Sequence, residues 1–397
     1  MTICLKNANI CDAVRWNQKA DVLVEDGMIR EIGENLSGDT VLDFSGKTLL
    51  PGLFDAHVHM VSGPKPEYYA QALRDWAQSG VLTVRDLGLG NTRPTEDYLA
   101  WREERTADPE CAEILTAGRA VAAKGGYMHK MGGQENGIGV ETPAEAEAAI
   151  RGQISLGCDG VKIAMDEDMM DPHTPQYSPE TIRAIAETTR ELGVWCTAHV
   201  QMSKYLRPLV ENGIPEMAHT VLDPIPEDLL REMLEKKIPI TSTLQPINVP
   251  RPPLPQEEID RMPPKMREMM KKMEAVDTAQ QERDAVENIR RFHAGGGMVV
   301  MGTDTMRMDT QPGVASVPLR ELRLLHEAGL SVREVIASAT INAAKACKVE
   351  DRLGSIEPGK QANLIAFDGV LDESFDALGR VNFVMNRGVI IKREILA

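Results

Sequence analysis

Residues 52–59 read GLFDAHVH. This is a short apolar run that follows a Pro-Gly turn and ends in two histidines separated by one residue. In a strand, side chains at i and i+2 share a face, so His57 and His59 point the same way. One such pair in one strand is weak evidence. Working outward, the layout recurs at 81–86 (VLTVRD), 112–118 (AEILTAG), 160–165 (GVKIAM), 194–200 (VWCTAHV), 214–219 (IPEMAH), 238–244 (IPITSTL) and 298–304 (MVVMGTD). Helical stretches fit between these runs, as in TPAEAEAAIRGQISLG (142–157) and SPETIRAIAETTRELG (178–193). The second opens with Ser178 as N-cap and Pro179 in the first helical position, and ends at Gly193. Strands alternating with helices predict a parallel sheet, and eight of them predict an α/β fold, a (β/α)8 TIM barrel. A doubly wound sheet is the alternative, but no GxGxxG or P-loop follows any strand.

The two ends of the chain read differently. ICLKNANIC (3–11), DVLVEDGMIREIG (21–33) and GDTVLDFSGKTLLPG (38–52) are strand-like and punctuated by Asp-Gly and Ser-Gly turns, as are QANLIAFDG (361–369) and VNFVMNRGVIIKREI (381–395). The expected organisation is a composite β-sandwich domain from 1–52 and 352–397, with the barrel inserted over 53–351. One segment breaks the short-loop rule. QPINVPRPPLPQ (245–256) is followed by a charged stretch in which Met262, Met266, Met269, Met270 and Met273 recur at helical spacing. An amphipathic helix packed on its own barrel is the first reading, and a lid or oligomer contact the second.

The 397 residues include 44 Lys and Arg against 60 Asp and Glu, a net charge of −16. That argues against nucleic acid or an anionic membrane as partner. No apolar run of signal-peptide length opens the chain, and none reaches membrane-spanning length. The six cysteines are scattered, with no CxxC pair, and are expected to be reduced and buried in a cytoplasmic protein.

The chemistry gathers at strand ends. His57, His59, His199, His219 and Asp304 all close predicted strands, and Lys162 lies inside another. Active sites of (β/α)8 barrels sit at those C-terminal ends. Four imidazoles and a carboxylate converging there predict a metal site. His173, His293 and His326 are expected to be ordinary; Asp166 and Asp168, just beyond Lys162, are read first as solvated charges, with groups supporting the ligands from behind as the alternative.

With PGLFDAHVH preceded by VEDGMIREIG, and LGSIEPGKQANLIAFDG near the C-terminus, the chain resembles the amidohydrolase superfamily of metal-dependent hydrolases. The order HxH, Lys, His, His, Asp is that of its binuclear members. The nearest branch is the imidazolonepropionase-related one, which includes Xaa-Pro and related dipeptidases. The resemblance implies that His57, His59 and Asp304 hold one divalent ion, usually zinc, and that His199 and His219 hold a second. It further implies that Lys162, N6-carboxylated, bridges both. The implied reaction is cleavage of an amide C–N bond in a small molecule, such as an Xaa-Pro-like dipeptide or an N-acyl amino acid, through a metal-bridging hydroxide. Asp304 would pass the water's proton to the leaving amine. His129, or Tyr127 in its place, would donate to the oxyanion.

Two departures bear on substrate. Gly125-Gly126-Tyr127-Met128-His129 is two residues longer than the compact Gly-Gly-His of dipeptidase-like relatives. Gln201 stands where they often carry a carboxylate-binding Tyr, with Tyr205 four residues on. Arg307, Lys130 and Arg251 are the candidate cations if that recognition has moved. A cyclic-amide hydrolase or deaminase on the same scaffold is the alternative; Met202, where deaminases often carry Glu, and Lys162 both argue against deamination. A non-catalytic metal-binding barrel is the third reading, disfavoured by a full ligand set. A homo-oligomer is expected for this branch.

Overall fold

The computed structural model describes residues 1–59, 66–88, 95–129, 136–167, 173–246, 267, 278–304 and 318–394. In chain order its strands begin with β1 (Thr2–Cys11), β2 (Trp16–Glu25), β3 (Met28–Gly33), β4 (Thr40–Asp43) and β5 (Lys47–Pro51). The middle supplies β6 (Leu53–Val58), β7 (Val81–Asp86), β8 (Glu113–Thr116), β9 (Val121–Ala123), β10 (Ile138–Val140), β11 (Gly160–Ala164), β12 (Trp195–His199), β13 (Met217–Ala218), β14 (Ile240–Thr241) and β15 (Val299–Val300). The last are β16 (Leu364–Asp368), β17 (Phe383–Asn386) and β18 (Val389–Arg393).

All eight predicted barrel strands are present, as β6–β8 and β11–β15. They form two parallel arcs, β6-β7-β8 and β10-β9-β11-β12-β13-β14-β15. Backbone hydrogen bonds bridge the arcs at both seams: Ala56 N to Met301 O (3.0 Å) and Asp304 N to His57 O (2.8 Å) on one side, Asp159 N to Thr116 O (2.9 Å) on the other. Residues of β6, β7, β11 and β12 are buried along their whole length. Both faces are covered, which is why these strands read as near-continuous apolar runs. The short β9 and β10 were not foreseen; they flank the turn that carries Tyr127 and His129.

The helices follow their caps. Thr142 caps the helix Pro143–Leu156 through a reciprocal box with Glu145. Ser178 Oγ accepts from Thr181 N at 3.2 Å and caps the helix Pro179–Glu191, with Pro179 in its first turn. The methionines at 262, 266, 269, 270 and 273 lie outside the described residues, as do Lys130, Asp168, Arg251 and Arg307.

Strands from both ends share one mixed sheet, ordered β18-β17-β16-β5-β1-β2-β3 with β4 on β1. β16 runs antiparallel to β5, pairing Leu364 with Pro51. Leu5, Ile10, Val22, Leu49, Leu364 and Phe383 form its buried core, and Phe44 meets Phe383 edge to face at 4.9 Å. The architecture is therefore α/β, a (β/α)8 barrel with a small β-sandwich formed by both termini. All six cysteines are buried. Among the described residues, no helix is long and apolar enough to cross a membrane.

Candidate active site

β6 ends on His57 and Val58, and β15 leads into Gly302-Thr303-Asp304. The two strands approach closely at this point. A Cβ at Gly302 would stand 2.6 Å from the Cβ of His57, so only glycine allows the contact. Asp55 then fastens the seam: Thr303 donates to it through its backbone N–H (3.0 Å) and its hydroxyl (2.6 Å). Burial pushes the Asp55 carboxyl up to about 6, against the pull of the Thr303 bonds.

Asp304 sits among the histidines. Its Oδ1 lies 3.2 Å from His59 Nε2 and 3.5 Å from His57 Nε2, while Oδ2 lies 3.9 Å from His219 Nδ1. The His57 and His219 rings are 4.4 Å apart, and His199 and His219 4.6 Å. His57, His219 and Asp304 each offer a ligand atom within 4.8 Å of the others. The local backbone is unusual. His219 and Asp304 take φ of +82° and +51°, and Thr243 takes +47°. Non-glycine residues adopt this region at a cost, and such outliers cluster at functional sites.

The hydrogen-bond account at this place does not close. His57 Nδ1 and Nε2, His199 Nε2 and Lys162 Nζ are buried and make no hydrogen bond among the described residues. Buried polar atoms are normally satisfied, and leaving one unpaired costs about 1–3 kcal/mol. His57 Nε2 is one of these atoms and faces Asp304, and neutral nitrogens with a carboxylate are the right donors for a cation. Burial holds His57 well below the usual histidine range, aided by the Lys162 charge. Burial does the same for His219, aided by His199 and Lys162. The Lys162 amine is drawn down to about 7 by burial, with Asp304 opposing. Both imidazoles, and a large share of the lysine, are thereby kept uncharged near neutral pH.

The other predicted residues are placed as follows. The Tyr127 ring stacks on His199 at 4.7 Å. His129 is buried, and its Nδ1 accepts from Gly125 N at 2.9 Å. A Cβ at Gly139 would stand 2.5 Å from its Nε2, so one ring nitrogen faces the turn and the other lies against β10. Gln201 donates its backbone N–H to Asp166 Oδ2 at 2.8 Å. The expectation that Asp166 is solvated is corrected: it is 5% exposed, and its Oδ2 lies 3.4 Å from His199 Nε2. The Tyr205 hydroxyl and Lys204 Nζ both meet Glu167 Oε2, at 3.1 and 2.8 Å.

Several supporting residues were not singled out from sequence. Thr243 Oγ1 lies 2.9 Å from His219 Nδ1. Glu321, in the helix Leu319–Glu327, accepts from Ser242 Oγ (2.5 Å), Leu244 N (2.9 Å) and Gln245 N (2.6 Å), and so fixes the loop that carries Thr243. Burial pushes its carboxyl up to about 7. Arg85 and Glu216 were legible in principle, because each puts a charge into an apolar run read as a barrel strand, and both are buried.

A (β/α)8 barrel with histidines and an aspartate gathered at its strand ends, able in principle to hold a metal ion, is the layout of a barrel hydrolase. Residues 48–392 match the Amidohydrolase family, and the chain belongs to that family. It is a hydrolase acting on C–N bonds, in a family whose members are generally metal-dependent. The chain is 25% identical over 386 residues to the imidazolonepropionase of Geobacillus kaustophilus, covering 87% of this chain and 80% of that protein. Its fold matches a Xaa-Pro dipeptidase with bound methionine (TM-score 0.79, 22% identity), covering 99% of this chain and all of that one. It also matches a prolidase complexed with N-methylphosphonate-L-proline (TM-score 0.81, 21% identity) over the same shares.

Proposed function

We propose that the chain is a binuclear metal hydrolase that cleaves the amide bond of a small molecule, an Xaa-Pro-like dipeptide or an N-acyl amino acid. In this reading His57, His59 and Asp304 would hold one zinc ion and His199 and His219 a second. Lys162, carboxylated on Nζ, would add an anionic ligand. The observation that carries the reading is the gathering of His57, His59 and His219 on Asp304, with buried nitrogens of His57, His199 and Lys162 left without hydrogen bonds among the described residues. The lysine chemistry agrees with it. An uncharged amine can add CO2 with release of one proton to solvent, and the resulting carbamate offers two oxygens and a negative charge where an ammonium offers none.

When bound, such ions supply Lewis acidity toward a carbonyl and make water a nucleophile near neutral pH. Asp304 takes the proton of the attacking water on its carboxylate and delivers it to the leaving nitrogen. Tyr127, stacked on His199, is the better-placed donor to the carbonyl oxygen as charge develops there. His129 braces the turn that presents it. Gln201 and Arg307 are the proposed substrate contacts. Glu167 on Tyr205 supports the view that a free substrate carboxylate is not read at that tyrosine. A cyclic amide is the second substrate reading, favoured by the imidazolonepropionase match over most of the chain.

Metal analysis of the purified protein tests the site, with about two ions per chain expected and a single ion overturning the binuclear reading. A screen of Xaa-Pro dipeptides, N-acyl amino acids and lactams against the zinc-loaded protein tests the substrate class. Turnover of esters alone would reject amide hydrolysis.

A further inference from the structure

Below the histidines lies a second set of buried charges that the proposed reaction does not use. Arg85 in β7 is fully buried, and its guanidinium reaches three other strands or their flanks. Nε donates to Ala56 O at 2.8 Å, one residue before His57. Nη1 donates to Glu216 Oε2 at 2.8 Å, and Nη2 completes the fork on Oε1; Glu216 stands three residues before His219. Nη2 also donates to Thr241 Oγ1 at 3.2 Å, and Thr241 Oγ1 donates to Glu216 Oε1 at 2.7 Å. The Thr241 carbonyl in turn accepts the His219 N–H at 3.0 Å.

The guanidinium lies 5.1 Å from the Trp195 ring centroid, a cation–π distance. Trp195 opens β12, the strand that His199 closes. Its ring covers Gly160, where a Cβ would fall 2.1 Å away, and Gly160 shares a strand face with Lys162. Each of the strands carrying His57, Lys162, His199 and His219 therefore contributes, within four residues of its site residue, one member of this layer. Barrel interiors are filled in such layers by neighbouring strands.

We propose that Arg85, forked on Glu216, is a positioning residue that sets the mutual register of His57, His199 and His219 for metal binding. The inference rests on the metal reading above. Residues that orient ligands from behind are worth about 10–100-fold in metal affinity or activity when lost.

The test measures Zn2+ affinity of apo-protein by competition with a chelator, together with kcat and KM on any substrate found. Arg85→Met alone strands the Glu216 charge and can fail to fold, so the deciding variant is Arg85→Met/Glu216→Leu, in which an apolar pair replaces the ion pair. Arg85→Lys, which keeps the charge and loses the fork, is the companion should the double variant not fold. Expected is a cooperatively folded chain with Zn2+ affinity lowered about 10–100-fold and kcat reduced more than KM is raised. Wild-type Zn2+ affinity in whichever variant folds overturns the proposal. His219→Ala separates the two ideas: if it too binds Zn2+ like wild type, the metal reading fails; if it loses Zn2+ while the Arg85 variants do not, the positioning role alone fails.

Discussion

Two clusters of buried charge lie within one barrel, and they are built in opposite ways. The Arg85–Glu216 pair is closed: opposite charges meet in a two-pronged fork, and Ala56 O and Thr241 take further donors. The histidine cluster is open, with both ring nitrogens of His57, Nε2 of His199 and Nζ of Lys162 unbonded among the described residues. His57 and Lys162 are as hidden from water as Arg85, so burial alone does not distinguish structure from function here. Hydrogen-bond completion does: the closed cluster holds the strands, and the open one keeps its donor atoms available.

The comparison can be broken at its ends. Asp304→Asn is expected to lower kcat by about 10²–10⁴-fold while leaving the unfolding midpoint nearly unchanged, measured with the best substrate from the screen. Equal loss of stability and activity would make Asp304 as structural as Arg85. Arg85→Met is expected to cost about 3–5 kcal/mol of stability by denaturant unfolding, because Glu216 is left charged and unpaired. The double variant with Glu216→Leu is expected to recover most of that.

Glu321 sharpens the contrast, because it is a closed group that titrates. Its carboxyl is raised from 4.5 to about 7 on folding, so the folded chain keeps a proton that the unfolded chain releases. Its contribution is fully present below 4.5 and is lost as pH rises through about 7, on the order of 3 kcal/mol. Glu321→Gln should flatten that part of the stability–pH curve; an unchanged slope would show that the carboxyl is ionised throughout. The smallest effect is expected at the surface. Arg151 meets Glu147 and Glu191 in the open, and Arg151→Ala should leave the unfolding midpoint within measurement error.

Much of this was legible in the residues. The barrel strands announced themselves because both faces are covered, and the strand-end histidines because chemistry is rare in such runs. The lengths were less legible. Runs 214–219, 238–244 and 298–304 pair as ladders over only two residues each in β13, β14 and β15. The reason is local: His219, Thr243 and Asp304 leave the extended conformation for positive φ, and the ladder stops before them. What sequence could not supply was pairing at long range. Asp55 finds Thr303 across 248 positions, Arg85 finds Glu216 across 131, and Glu321 finds Ser242 across 79. Asp166 shows the same limit, since a polar run such as MDED reads as solvated until the backbone folds it behind His199.

The shared terminal sheet has a consequence for how the chain is made. Lys47 in β5 meets Asp368 in β16 across 321 positions. At ribosomal speeds of roughly 5–20 residues per second, the first of these strands waits on the order of tens of seconds for the second. Until then the β5 edge is an unpaired template for other chains. Slow decoding through the barrel would lengthen that exposure, so yield in a cell should depend on elongation rate even where the finished fold does not.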